Sequence, residues 1–323
     1  LAWLTYRLIE KPFRFGNHSR AKTLILIALM TLVGFVGFNC YKKEGYAFRL
    51  PAEVQMYVQT IDFQFAKFIR YGQCHLETDE VIVHDKSCVE SARPLVALWG
   101  DSHASALYPG LKKIQEESDF GIMQLTTAAC PPLLQVGTYS VLRKKCDAAN
   151  HNVIDLLIRN KPDVLIMNSA FIVPGGAYTW DESTLVSKLD ETLKFIKSKL
   201  QNTKVVVIGP APQWQESPQK VSFLFWKNSL DKKERIPVSQ KATVFPTLDN
   251  SLKQITESNG AAYISAIQHL CNADRCISRI GDNPESFIAV DYGHLSKAGS
   301  EYFVGKIKQG IFRSFPSDFK SKP

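Results

Sequence analysis

The sequence lacks several patterns that mark common classes of binding protein. It contains no CxxC or HxxxH spacing, so we predict no metal site. The formal net charge is +8, but the lysines and arginines are spread along the chain without a basic run, which argues against a nucleic-acid partner. No internal repeat stands out. With 323 residues and 45% hydrophobic content, the chain can form one large domain with additional segments.

Seven cysteines are present, and six of them follow the apolar segment described next. An even number of cysteines on one side of a membrane favours disulfides and an oxidising compartment. The six fall into three neighbouring couples. The predicted disulfides are Cys74–Cys88, Cys130–Cys146 and Cys271–Cys276. The alternative is that these cysteines are free thiols in the core, because unpaired cysteine is often buried.

An uncharged apolar segment lies near the start of the sequence, at 23–41. Its 19 residues at roughly 1.5 Å each cross a hydrocarbon core of about 30 Å, so we predict a transmembrane helix over 22–41. Five basic residues precede it and only Lys42 and Lys43 follow closely, which places the earlier side in the cytoplasm. A secretory signal peptide is the competing interpretation, but no small-x-small cleavage site follows Phe38.

From about Pro94 onwards, short apolar runs alternate with helical stretches, which is typical of an α/β fold with a parallel sheet. Strands are predicted at 95–100, 121–127, 163–170, 204–211, 261–266 and 286–290. Helices are predicted at 104–118, 147–160, 183–202, 248–259 and 296–313. Several strands are apolar on both faces, so we expect helices on each side of the sheet. The earlier segment 51–71 is either a helix packed on this domain or a solvated linker.

The first predicted strand runs directly into Gly100, Asp101 and Ser102, and a helix follows. In open α/β sheets, ligands bind at this carboxyl edge of the strands. A helix N-terminus there offers unpaired N–H groups and a positive dipole end, which suit a developing oxyanion. Ser102 is therefore the candidate nucleophile, and its backbone N–H is a candidate oxyanion donor. A serine hydroxyl needs a base to accept its proton.

The candidate base lies near the end of the domain, where Asp291 and His294 follow the apolar run 286–290. A carboxylate three residues before a histidine can hold the imidazole Nδ1 proton and leave Nε2 facing the serine. We therefore predict a catalytic triad of Ser102, His294 and Asp291. The other histidine near the serine, His103, is assigned a packing or hydrogen-bonding role within the turn.

These residues carry a family resemblance. The segment LWGDSHASALYPGL resembles the first block of SGNH hydrolases, and DYGHLSKAGS resembles their last block. Together with LTYRLIEKPFRFG and one following anchor, the chain resembles the SGNH-fused members of acyltransferase family 3, bacterial inner-membrane proteins that O-acylate surface polysaccharides. The resemblance implies a three-layer α/β/α, flavodoxin-like SGNH domain. It also implies that Ser102 is the nucleophile, His294 the base and Asp291 the orienting acid.

The resemblance extends to the oxyanion hole. Asn168 lies where the family has its third-block asparagine, although the usual GxND is here IMNS. The second-block glycine has no clear counterpart, and the backbone N–H of Ala129, or of its neighbour Ala128, is the candidate substitute. Asp101 resembles the structural aspartate of the first block, which braces the turn.

The resemblance also predicts the domain organisation. Residues 1–16 would end an integral membrane acyltransferase domain, 22–41 would cross the membrane, 42–93 would link in the periplasm, and 94–318 would form the SGNH domain. Because the first residue is Leu1, we interpret the opening as the continuation of a longer chain. The predicted partners are that membrane domain, the inner membrane and a polysaccharide acceptor. No cofactor is expected in this domain, and acetyl-CoA would be the ultimate donor through the membrane domain.

The predicted function is O-acyl transfer, with acetyl as the expected group, to a bacterial cell-surface polysaccharide. The alternative is a periplasmic carbohydrate esterase or deacetylase with the same triad, because water and a sugar hydroxyl differ only in what the pocket admits. The IEKPFR segment favours transfer, since it links the domain to a membrane partner that delivers acyl groups. A non-enzymatic glycan-binding module with a decayed site is the third reading.

Overall fold

The structure is a computed structural model that divides into two compact units, Leu1–Gln55 and Met56–Pro323. It describes residues 2–15, 19–43, 45–51, 55, 63–77, 83–136, 145–171, 181–228, 239–272, 275–281 and 286–313. The predicted segment ends at 1, 16 and 318 lie outside the described residues, as do parts of the predicted linking region.

The first unit is helical. It contains α1 (Ala2–Thr5), a wider π-type turn (Tyr6–Glu10), α2 (Lys11–Phe15) and the long helix α3 (Ser19–Lys42). The span Arg20–Lys42 is long and apolar enough to cross a membrane. The single long apolar helix predicted from the sequence is therefore confirmed.

The second unit is built on a six-stranded parallel sheet with the order β1-β3-β2-β4-β5-β7. Its strands are β1 (His75–Leu76), β2 (Leu95–Gly100), β3 (Gly121–Thr127), β4 (Val164–Asn168), β5 (Lys204–Ile208) and β7 (Ala262–Ile264). A small antiparallel sheet has the order β6-β9-β8. Its strands are β6 (Ser239–Lys241), β8 (Cys271–Asn272) and β9 (Arg275–Ile277). The predicted α/β fold with a parallel sheet is confirmed.

The described part of this unit contains helices before, between and after the strands. They are α4 (Phe63–Phe68), α5 (Ser102–Ser105), α6 (Tyr108–Glu117), α7 (Cys146–Asn160), α8 (Glu182–Lys199), α9 (Pro218–Asn228), α10 (Pro246–Ser258), α11 (Ala266–Leu270) and α12 (Lys297–Phe312). Consecutive side chains of β2 enter opposite cores, because side chains alternate along a strand. Leu98 packs in the core with α6 and α12, whereas Trp99 packs in the core with α7, α8 and α10. Helices thus cover both faces of the sheet.

One predicted strand was wrong. Residues 286–290 do not join the sheet, and the described residues here form only isolated antiparallel bridges, from Phe287 to Arg279 and from Ala289 to Leu295. The chain folds back on itself at this point, so its apolar side chains are buried without a neighbouring strand. The sixth strand is instead β1, which has two residues and is too short to produce an alternating pattern. Because β1 precedes residue 94, the sheet begins within the segment predicted to be a link.

All three predicted disulfides are present. They join Cys74 to Cys88, Cys130 to Cys146 and Cys271 to Cys276. The first lies beside β1, the second connects the segment after β3 to the start of α7, and the third joins β8 to β9. The second therefore lies at the carboxyl edge of the large sheet, where β3 ends.

Candidate active site

The site begins at a sharp turn after β2. Gly100 adopts φ +153°, and a Cβ at this position would lie 1.8 Å from the carbonyl oxygen of Asn168 on β4. Glycine is required here because the neighbouring strand approaches too closely for any side chain. The turn delivers Ser102 to the first position of α5, at the carboxyl edge of the central strand.

The Asp101 carboxylate braces this turn. One oxygen accepts the backbone N–H of His103 at 2.8 Å, and the other accepts the Ser169 hydroxyl at 2.7 Å and the Ala170 N–H at 3.0 Å. Burial raises the pKa of the Asp101 carboxyl, although these hydrogen bonds oppose the effect. The carboxylate thus ties the start of α5 to the residues that follow β4. The sequence had indicated a brace at Asp101 but not its partners, which lie 68 and 69 positions away.

The structure brings Ser102, His294 and Asp291 together. The Ser102 Oγ lies 2.7 Å from His294 Nε2, and His294 Nδ1 lies 2.7 Å from Asp291 Oδ2. With the Nδ1 proton directed at the carboxylate, Nε2 is free to accept the serine hydroxyl proton. The three side chains therefore form a continuous relay by which a base can remove a proton from an attacking hydroxyl.

Asp291 is held ionised. Burial on its own would raise the pKa of this carboxyl. The hydrogen bond and charge of His294, together with the backbone N–H groups of Gly293 and His294 on Oδ1, outweigh burial and lower the pKa of Asp291 to about 2. The carboxylate can therefore stabilise a positive charge on the imidazole over the whole neutral pH range.

The loop that carries Asp291 and His294 is anchored by backbone hydrogen bonds. Val290 N–H donates to the His294 carbonyl at 2.9 Å, and Trp214 N–H donates to the Tyr292 carbonyl at 2.7 Å. These contacts hold the loop closed around the carboxylate, so the imidazole is presented from a fixed backbone.

Within the described residues, three aromatic rings lie close to the His294 imidazole. The His103 ring is 4.3 Å away between centroids, Phe65 is 5.1 Å away and Tyr292 is 5.4 Å away. The packing role assigned to His103 thus involves the ring of the candidate base itself. Sequence reasoning missed Phe65, because nothing in the pattern of 51–71 distinguishes one aromatic residue from its neighbours.

His103 is a buried, neutral histidine. Its side chain is in the core, and within the described part of the chain its Nε2 atom has no hydrogen-bond partner. Burial and then the nearby charge of His294 lower the pKa of His103 well below its usual value. Because burial also lowers the pKa of His84, two histidines in this unit resist protonation in the folded state.

The lowered pKa of His103 predicts that the fold is less stable in acid. Below about pH 6.5 the unfolded chain protonates His103 and the folded chain does not, so the free energy of unfolding should fall as pH falls. The slope from one such histidine is at most about 1.4 kcal/mol per pH unit. Urea unfolding between pH 7 and pH 5 should show a shallower decline in His103→Gln than in the unsubstituted chain. Equal slopes would contradict the prediction, and His84→Gln offers the matched test at the second histidine.

The three groups predicted to stabilise the oxyanion differ in their hydrogen bonding and backbone conformation. The Ser102 N–H lies in the first turn of α5, where backbone N–H groups lack helical partners. Ala129 follows β3 and adopts a left-handed φ of +50°, whereas the neighbouring Ala128 N–H donates to the Leu76 carbonyl. The Asn168 amide nitrogen donates to the carbonyls of Ile208 at 3.0 Å and Gly209 at 3.4 Å. To stabilise an oxyanion, the Asn168 amide would have to give up one of these hydrogen bonds. The oxyanion role of Ser102, Ala129 and Asn168 stays a prediction.

Known proteins resemble this chain in sequence and in fold. The family model described as "SGNH domain (fused to AT3 domains)" matches residues 73–309. The solved periplasmic domain of the Salmonella ser. Paratyphi A lipopolysaccharide acetyltransferase is 25% identical, with a TM-score of 0.67 and a match covering 83% of this chain and 100% of that one. No curated protein matches the chain.

Two further solved structures are more distant. A structure described as a platelet activating factor from Streptococcus pneumonia is 11% identical with a TM-score of 0.38, covering 87% of this chain and 99% of its own. A GDSL-like lipase from Parabacteroides merdae is 12% identical with a TM-score of 0.38, covering 67% and 94%. These scores are too low to support an inference. Because the family model spans most of the sequence, the chain belongs to the family of SGNH domains that are fused to AT3 domains.

Proposed function

We propose that this protein is an O-acyltransferase, with acetyl as the transferred group, that modifies a hydroxyl of a bacterial cell-surface polysaccharide through an acyl-enzyme on Ser102. The observation that carries the proposal is the relay from the Ser102 hydroxyl through His294 to the Asp291 carboxylate, with both contacts at 2.7 Å. The membership in a family of SGNH domains fused to AT3 domains supports transfer. In this proposal the fused membrane domain would be the partner that delivers the acyl group.

In the first half-reaction, His294 Nε2 accepts the Ser102 proton as the serine oxygen attacks the acyl carbonyl of the donor. The carbonyl π electrons move to oxygen and give a tetrahedral oxyanion. Collapse of this intermediate breaks the bond to the donor group, which leaves with the proton from His294. The Asp291 carboxylate stabilises the imidazolium that exists between these proton transfers.

In the second half-reaction, a sugar hydroxyl takes the place of the departed group. His294 accepts its proton as the hydroxyl oxygen attacks the acyl-serine, and the same imidazolium then returns the proton to Ser102 Oγ as that bond breaks. The products are the O-acylated glycan and the free serine. The Ser102 N–H would stabilise both oxyanions, and the Ala129 N–H and Asn168 amide would complete the hole.

The proposed location follows from the apolar helix. The basic residues that precede α3 favour a cytoplasmic N-terminal side, so the second unit would lie in the periplasm, facing the polysaccharide. The lipopolysaccharide acetyltransferase similar to this chain is itself described as a periplasmic domain. In the proposed organisation, residues 1–16 end the membrane domain, 22–41 cross the membrane, 42–93 link and 94–318 perform the chemistry. The membrane domain would draw the acetyl group from cytoplasmic acetyl-CoA.

The proposed function predicts a covalent acetyl-serine intermediate. The full chain in detergent is mixed with 4-nitrophenyl acetate, quenched and digested, and mass spectrometry should find one acetyl group on the peptide that contains Ser102. The labelled protein is then exposed either to buffer or to oligosaccharides from a strain without the enzyme. Acetyl groups should move to sugar hydroxyls faster than they are released as acetate.

Each other outcome has a defined meaning. Release of free acetate without any modified sugar would favour a periplasmic esterase and contradict the proposed acyl transfer. Glycan binding without any acetyl-serine, unaffected by Ser102→Ala, would favour a binding module and overturn the mechanism. An acetyl group on another residue would also overturn it.

A further inference from the structure

A short segment before the matched family region lies against the candidate active site. Helix α4 and the turn after it occupy 63–72, whereas the family model begins at residue 73. This segment belongs to the same compact unit as the sheet, Met56–Pro323. The chain that leads from the apolar helix therefore reaches the site before the family region begins.

The segment is fastened to the helix that bears the nucleophile. Ile69 is 1% exposed, and its carbonyl accepts the Ser105 hydroxyl at 3.2 Å and the Gln124 side-chain N–H at 2.8 Å. Ser105 lies in the same helical turn as Ser102. Buried polar groups that satisfy one another in this way fix the position of the backbones that carry them. The segment and α5 therefore have one defined geometry.

From this anchored position, Phe65 reaches the candidate base. Its ring centroid is 5.1 Å from that of His294, tilted by 54°, and it packs against the hydrophobic core on the α6 and α12 side. The His294 side chain is only 13% exposed. Phe65 is thus one of the groups that exclude water from the imidazole.

This contact matters because the relay depends on the orientation of one ring. Rotation of the imidazole about its bond to Cβ would break the 2.7 Å contacts of Nε2 and Nδ1 together. The other two neighbouring rings, His103 and Tyr292, come from the motifs that carry the triad. Of the rings in the described part of the chain that contact the imidazole, Phe65 is the one from outside these motifs, and it restricts the space into which the imidazole could turn.

We propose that Phe65 is a positioning residue of this active site, which holds the His294 ring in line with Ser102, so that the segment 63–72 is a working part of the acyltransferase and not only a tether. This inference rests on the proposed function. It assigns to the segment 63–72 a role in the chemistry, because a displacement of α4 would be transmitted directly to the base.

The test compares four variants of the full chain. Phe65→Ala removes the ring, Phe65→Leu keeps apolar volume without a ring, Phe65→Tyr restores the ring, and Lys67→Ala changes an exposed side chain of the same helix. A fluorophosphonate first titrates the functional serines, so that kcat for acetyl transfer from 4-nitrophenyl acetate is expressed per active site. This normalisation removes any loss that arises only from unfolded protein.

We expect Phe65→Ala to lower kcat per active site by about 10-fold to 100-fold with KM unchanged, since misplacement by about 1 Å costs this much. Phe65→Leu should recover little, whereas Phe65→Tyr and Lys67→Ala should match the unsubstituted chain. Normal kcat per active site in Phe65→Ala, or a loss shared by Lys67→Ala, would overturn the inference. Activity in Ser102→Ala would instead overturn the proposed function, so the two failures are distinguishable.

Discussion

Replacement of Ser102 by alanine is expected to reduce acetyl transfer by about 10⁴-fold or more, because no other group among the described residues takes the position of the attacking oxygen. The same loss should follow His294→Ala, and the double variant should be no worse than either single variant, since residues that act as one unit are not additive. The measurement is kcat/KM for transfer from 4-nitrophenyl acetate to the oligosaccharide acceptor.

The matched control is Ser187→Ala, which removes an exposed hydroxyl from α8 and should leave the rate unchanged. The free energy of unfolding should change by only about 1 kcal/mol in Ser102→Ala, because one hydrogen bond, to His294, is lost. A variant that folds normally and keeps more than about one hundredth of the rate would remove Ser102 from the mechanism.

Gly100→Ala adds one methyl group next to the site. We expect it to lower the free energy of unfolding more than the same change at any other glycine near the site. The new Cβ would lie 1.8 Å from the Asn168 carbonyl oxygen and 2.8 Å from the Ala104 Cβ. β2 cannot move aside to relieve this clash, because it is hydrogen-bonded to β3 on one side and to β4 on the other. We expect the free energy of unfolding, measured with urea, to fall by more than about 3 kcal/mol, at or beyond the upper end of ordinary overpacking costs.

The control is Gly305→Ala, for which we expect the free energy of unfolding to rise and not to fall. Gly305 lies within α12, and a Cβ there would meet nothing within 4 Å. Alanine is favoured over glycine in helices by up to about 1 kcal/mol, so Gly305→Ala should stabilise the chain. A decrease of less than about 1 kcal/mol in Gly100→Ala would show that the strands can separate at this point, against the close approach described above.

The parts of the site that the sequence predicted are those with strong local signals. A strand, a glycine turn and a helix start enclose Ser102 within a few residues, and Asp291 and His294 share one short loop. The central strands β2 and β3 were predicted to the residue for the same reason, because their runs are continuous and buried. Parallel topology then brings distant strand ends to one edge of the sheet.

The parts that were missed depend on contacts between distant segments. Nothing near Ser169 marks it as the partner of Asp101, and nothing near Phe65 marks it as a neighbour of His294. The run 286–290 has strand-like composition, yet its residues are buried by folding back on 279 and 295 rather than by a strand. β1 was missed because two residues carry no periodic signal.

The disulfides described above have a consequence for how the molecule matures. Their cysteines are only 14, 16 and 5 positions apart, so each ring closes between stretches that are already near one another in the nascent polypeptide. Each of these bonds can therefore form within its own short stretch, without contact between distant parts of the chain. A cross-link over about 15 residues removes roughly 3 kcal/mol of denatured-chain freedom on the entropic model. The three cross-links would thus form independently of one another, because no ring contains a cysteine of another pair.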